Sequence, residues 1–139
     1  MPPYLDTFFS PVRDSQTNQV LIMALLIGIA VDIVIGVTGA ALRHEIKSRK
    51  MREGAMHKLA EVGLVIVADI LDGMLMGGLK LTMAPVLPST TAFLALMELF
   101  SICENCVKMN PDFSEVPLIG QVAKLLHEAK SDQKDGSNA

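Results

Sequence analysis

Between Val20 and Leu42 the chain reads VLIMALLIGIAVDIVIGVTGAAL, an apolar run broken by one charge, Asp32. As a helix rising about 1.5 Å per residue it reaches roughly 34 Å, enough for a hydrocarbon core of about 30 Å. No other feature limits the fold as strongly, because a helix that is apolar all round needs lipid or a large core around it. The chain has 139 residues, one domain's worth, and half of them are apolar. That fraction decides little; the gathering of apolar residues into runs decides more. At about 100° per residue, Gly28, Asp32, Gly36 and Gly39 fall on one narrow face, which lets another backbone come close in lipid.

A basic connector follows, Arg43 to Lys58, reading RHEIKSRKMREGAMHK. It holds six of the twelve basic residues, Arg43, Lys47, Arg49, Lys50, Arg52 and Lys58, opposed only by Glu45 and Glu53. The segment is strongly positive in a chain whose net charge is −3. Lys and Arg beside a membrane span resist translocation, so these six residues are expected to set the topology by staying cytoplasmic. A nucleic-acid patch is the other reading of such a cluster. No aromatic residues are interleaved and the whole chain is acidic, so no nucleic-acid partner is expected.

Leu59 to Ala84 is less comfortable in lipid. With Leu59 to Lys80 as a span, Asp69 and Asp72 lie near its middle, each disfavoured by about 2.5 to 3.5 kcal/mol. Leu, Ile and Val contribute roughly 0.3 to 0.6 kcal/mol each in favour, and the two sides nearly cancel. Glu61, Asp69, Asp72 and Lys80 share one sector, with Gly73 and Gly77 at its border, so this stripe should face protein or water. Pro85 and Pro88 mark a turn. Thr90 to Val107 is a third span of about 27 Å with Glu98 near its centre. Thr91, Glu98 and Asn105 recur every seven residues beside Ser101, giving this helix a polar face as well.

The expected fold is an all-α membrane protein: three antiparallel transmembrane helices plus a C-terminal amphipathic helix. Residues 1–18 form a short polar segment outside, read as a frayed terminus with Pro2, Pro3 and Pro11. This segment lacks a basic start and an apolar stretch, so the first span is expected to act as its own uncleaved signal. Residues 19–107 form the transmembrane domain, with the connector at 43–58. Residues 108–139 hold an amphipathic helix over Pro117 to Lys130 and a disordered polar tail. With the connector inside, Lys108, Lys124, Lys130 and Lys134 are also inside, against only Arg13 and Lys80 outside. That bias puts the N-terminus outside and the C-terminus in the cytoplasm.

Catalytic chemistry finds little support. Cys103 and Cys106 form a lone CxxC without a second pair or strand context, and read as packing residues. His44, His57 and His127 show no ligand spacing. A carboxylate metal cluster from Asp69, Asp72, Glu98 and Glu104 would need Glu-x-x-His pairs that the sequence does not contain. Gly73 and Gly77 are a lone GxxxG, compatible with helix packing. No catalytic residues, metal or cofactor are expected, and the chain reads as a non-enzyme.

Three stretches, taken together, resemble the bacteriophage holin family of the toxin-secretion and phage-lysis type. They are Asp32 to Gly39 (DIVIGVTG) running into the connector, Gly54 to Asp72 with its Lys, long apolar run and terminal Asp, and Glu98 to Lys108 (ELFSICENCVK) before a Pro-containing tail. The resemblance implies a protein that accumulates in the bacterial host's cytoplasmic membrane, assembles, and opens timed lesions. A separate endolysin then escapes and the host cell lyses; related members are thought to export toxins. The residues add their own argument. Each span carries a buried acid, so lone helices should seek partners and form a homo-oligomer surrounded by membrane lipid. Asp32, Asp69, Asp72 and Glu98 are expected at helix contacts or a pore rim, with Gly28, Gly36, Gly73 and Gly77 at the close approaches. The alternatives are a small oligomeric ion channel or transporter with the same acidic stripe, and a soluble helical bundle.

Overall fold

The computed structural model describes residues 3–81, 85–117, 119–121 and 124. Among these, the chain is helical with no strand: α1 (Pro3–Arg13), α2 (Gln16–Leu42), α3 (Ser48–Gly73) and α4 (Val86–Met109). A π-helical turn, Met74–Gly78, extends α3, and a 3-10 turn, Pro111–Glu115, follows α4. Most of the C-terminal helix expected over Pro117 to Lys130, and the tail after it, lies outside the described residues. Pro117, Ile119, Gly120, Gln121 and Lys124 are helical.

The first difference from expectation is at the N-terminus, which forms a helix instead of fraying. Its end is held by α2. Ser15 accepts from the Asn18 backbone N–H, the buried Asn18 side chain donates to the Pro11 carbonyl at 2.8 Å, and Gln19 donates to the carbonyls of Val12 and Arg13. Carbonyls in a last helical turn have no partner within their own helix, so these amides supply what α1 cannot. Arg13 bridges Asp6 and Asp14 at the same corner. Its hydrogen bond holds the Asp14 carboxyl below the usual carboxylate range.

The second difference is in the connector, of which only Arg43–Lys47 is non-helical; Ser48 to Lys58 are the opening turns of α3. α2 stops where His44 takes a left-handed conformation, φ 55°. Lys80 is also left-handed, beyond the π turn and exposed, so it stands apart from the acidic stripe to which its spacing assigned it. Pro88 sits inside the first turn of α4, where a missing N–H costs nothing, instead of in the preceding loop.

Glycines along α2 set the packing. A Cβ on Gly28 would lie 3.1 Å from the Glu98 Cβ, one on Gly36 3.4 Å from the Asn105 amide, and one on Gly39 2.9 Å from the Met109 side chain. Both sets of numbers rise together, so α2 and α4 run parallel in close contact. α3 returns antiparallel between these two directions: Lys58 meets Asp32 and Glu98, and Asp72 meets Val86 and Leu87. Leu25, Ile29, Val65, Ala68, Leu87 and Leu94 form a small buried core. Outside it, the bundle exposes apolar residues such as Val20, Ile27, Val34, Leu64, Val67, Phe93 and Leu99.

Among the described residues, two helices, α2 and α4, are long and apolar enough to cross a membrane. In α2 the most apolar window has mean hydropathy 2.9 and only 11% of it is buried, so α2 is no core helix of a soluble bundle. The charges of α3 keep it out of that class.

Two substitutions test this packing. An alanine Cβ at position 73 would lie 2.7 Å from the Phe8 carbonyl oxygen and 2.8 Å from its Cα, and backbone cannot turn aside. Gly73→Ala is therefore expected to lever α1 off α3 at a cost of about 1–3 kcal/mol, seen as a lower unfolding midpoint in detergent and faster proteolysis within α1. Asp72 accepts from the Val86 and Leu87 N–H groups at 3.1 and 2.9 Å, capping α4 from a neighbouring helix. Removing that cap in Asp72→Ala is expected to cost about 0.5–2 kcal/mol in the same measurement, with Asp72→Asn milder.

Candidate functional site: a charged network between the helices

The site begins with Lys58. Spacing grouped it with the connector, but α3 carries it to mid-length, level with the middles of α2 and α4. There its ammonium lies 3.0 Å from Asp32 on α2 and donates to both carboxylate oxygens of Glu98 on α4. Glu61, one turn further along α3, is 3.9 Å from the same nitrogen and 3.2 Å from His57. Asn105 on α4 donates to the other Asp32 oxygen at 2.9 Å. One lysine thus joins three helices through two directly paired carboxylates, with a third close by.

Each component has a local cause. Gly28 has no Cβ to keep Glu98 away, and Gly36 leaves room for Asn105. Asp32 is one turn from each glycine on the same face. Glu98 and Asn105 lie two turns apart on α4, and Thr91, two turns earlier, is buried with its hydroxyl bonded to the Leu87 carbonyl. The heptad spacing of α4 is therefore the contact face toward α2.

Burial makes the network consequential. Glu98 is 1% exposed, Asp32 7% and Glu61 5%. Taking such charges from water costs several kcal/mol per ion unless a partner and hydrogen bonds compensate. Asp32 and Glu98 have both. Glu61 Oε2 is buried without a hydrogen bond, as is Asp69 Oδ1 further along α3. A buried acceptor without a hydrogen bond costs about 1–3 kcal/mol, less for Glu61 Oε2 because the Lys58 ammonium is 3.9 Å away, so these are the two least satisfied oxygens of α3 among the described residues.

The other singled-out residues have different surroundings. Asp69 is buried beside α1, away from Lys58, and Asp72 is committed to capping α4. Gly73 is pressed against Phe8, whereas Gly77 is in the π turn and lines a shallow outer pocket with Phe8 and Leu71. Arg43 reaches Glu45 and the Lys108 carbonyl, Arg49 pairs with Glu53, and Lys47, Lys50 and Arg52 are exposed at the connector end. Cys103 and Cys106 are free thiols, and no metal-binding cluster occurs among the described residues. Sequence reasoning missed Lys58 as the hub. Its spacing from Glu61 was the available signal, but its partners Asp32 and Glu98 are remote in the chain.

A family model described as the bacteriophage holin family matches residues 16–126, from the start of α2 through the helices that carry the network. No curated protein and no solved structure matches the chain. The family is one of membrane-pore proteins and not of enzymes, in keeping with apolar helices whose charges are turned inward. This chain, an all-helical membrane protein, belongs to the bacteriophage holin family.

Proposed function

We propose that the chain is a phage holin that oligomerises in the host cytoplasmic membrane and opens timed lesions, through which an endolysin leaves or a toxin is exported. In this reading α2, α3 and α4 all cross the bilayer, with the N-terminus outside and the C-terminus in the cytoplasm. The observation that carries the proposal is an inverted distribution of polarity. Acids and one lysine are concentrated between the helices, while the outside is apolar. α3 is too polar to insert readily by itself, but pairing Lys58 with Asp32 and Glu98 hides its central charge against α2 and α4.

The closed subunit is held by Lys58. When subunits gather, Glu61 Oε2 and Asp69 Oδ1, which have no hydrogen bond, gain a reason to exchange their dry surroundings for water or for a neighbouring helix. Opening is then a rotation that moves Asp32, Asp69, Glu61 and Glu98 from intrasubunit contacts to a wetted rim. Asp72, as the cap of α4, keeps the outer ends of α3 and α4 together during that movement. The connector cations Arg43, Lys47, Arg49, Lys50 and Arg52 keep the inner end cytoplasmic.

Lys58→Met leaves two buried carboxylates without their cation, a loss of about 3–5 kcal/mol. It is expected to lower the folded yield in membranes and shift the onset of lysis; the triple variant Lys58→Met, Asp32→Asn, Glu98→Gln should regain the folded yield. Unchanged onset at equal membrane level removes the network from the gate. The function itself is tested by induced expression in bacteria with and without a separate wall-degrading enzyme. Abrupt loss of membrane potential is expected in both cultures and lysis only where the enzyme is present. Steady, discrete, ion-sized conductance without enzyme release would make the protein a channel instead.

A further inference from the structure

α2 and α3 are joined by Lys58 and Asp32 but barely touch through their backbones elsewhere. Between them, on the connector side of that ion pair, lies a cavity of about 390 Å³. Its walls are apolar: Ile33 and Val37 from α2, Met51 and Ala55 from α3, and Ile46 from the loop. Its deep end is closed by the Asp32 and Lys58 pair, and its mouth carries Lys47 and Lys50. Glu45 is also at the mouth, but its carboxylate is engaged by Arg43 at 3.3 Å. Two exposed lysines therefore stand at the opening of a greasy slot.

The dimensions agree with one occupant. Along α2 the lining runs from Asp32 to Ala40, about 12 Å at the helical rise. One leaflet of a hydrocarbon core about 30 Å thick has nearly that depth. Gly54 widens the slot, since a Cβ there would meet nothing within 4 Å. Basic pockets between membrane helices on the cytoplasmic side suit anionic headgroups.

We propose that this cavity is a binding site for an anionic membrane phospholipid, with its phosphodiester between Lys47 and Lys50 and one acyl chain lying between α2 and α3. The bound chain fills the gap that the two helices leave and keeps water from the Lys58 network at its inner end. The site rests on the membrane reading above, which places the connector end of the bundle at the lipid interface.

Purified protein is mixed with phosphatidylcholine vesicles carrying a minority of spin-labelled phosphatidylglycerol or spin-labelled phosphatidylcholine. Flotation is scored first, then the motionally restricted lipid by electron paramagnetic resonance. The protein should float and restrict the anionic label more than the zwitterionic one, each lysine favouring it by about fivefold. Lys47→Gln with Lys50→Gln should abolish that preference, whereas Arg49→Gln with Arg52→Gln, the same loss of charge away from the cavity, should largely keep it. Gly54→Leu, which fills the slot, should reduce the restricted component for both lipids. Failure to float would sink the membrane reading and this site together. Flotation with no preference, or equal effects of the two charge pairs, overturns the site alone. A Gly54→Leu effect on cross-linking between copies but none on lipid would assign the cavity to a second chain and also overturn it.

Discussion

A charge buried among apolar helices has to be surrounded by something other than water, and here the Lys58 ammonium and the carboxylates of Asp32 and Glu98 surround one another. That triad sits where α2, α3 and α4 converge, and the surrounding geometry follows from accommodating it. Gly28 and Gly36 thin α2 where Glu98 and Asn105 approach. α2 and α4 can then run parallel at close range, leaving α3 to return along the side where its lysine reaches both. Were α2 uniformly bulky, Glu98 would be held off and the ammonium would have one carboxylate instead of two.

The same constraint explains why the bundle looks inverted relative to a soluble protein. Among the described residues its apolar core is small, while seven polar or charged residues, including Asn18, Thr91 and Asp72, are buried. In water such an interior would be a liability, since hydrophobic burial is the main driving force for folding there. In lipid the apolar exterior costs nothing, and buried polar contacts and close backbone approach hold helices together. The unsatisfied oxygens of Glu61 and Asp69 mark where this arrangement is least complete.

Family membership joins this physical picture to a biological role in membrane permeabilisation, which the network alone would not specify. A channel, a transporter and a holin can all bury acids between apolar helices. This chain rests on few contacts: one lysine holds three helices, and an aspartate of α3 caps α4. Small changes at those points reach the whole bundle.

Much of the architecture was legible in the order of residues, because lipid compatibility depends on local composition. The run from Val20 to Leu42 is apolar enough to demand a helix wherever it ends up, and the glycine face beside Asp32 follows from helical periodicity. The basic character of residues 43–58 and the seven-residue recurrence of Thr91, Glu98 and Asn105 are likewise properties of the local sequence. The holin resemblance was also visible, because its stretches occur in order along the chain. Tertiary structure alone decided partners. Only packing could move Lys58 from a basic segment into a buried triad, detach Lys80 from the acidic stripe, or turn Asp72 into the cap of another helix. It also converted the expected frayed terminus into α1, since the amides that hold its end come from Asn18 and Gln19 on α2. Periodicity tells which residues share a face; which face meets which is settled by distances between residues remote in the chain, and those exist only once the helices have come together.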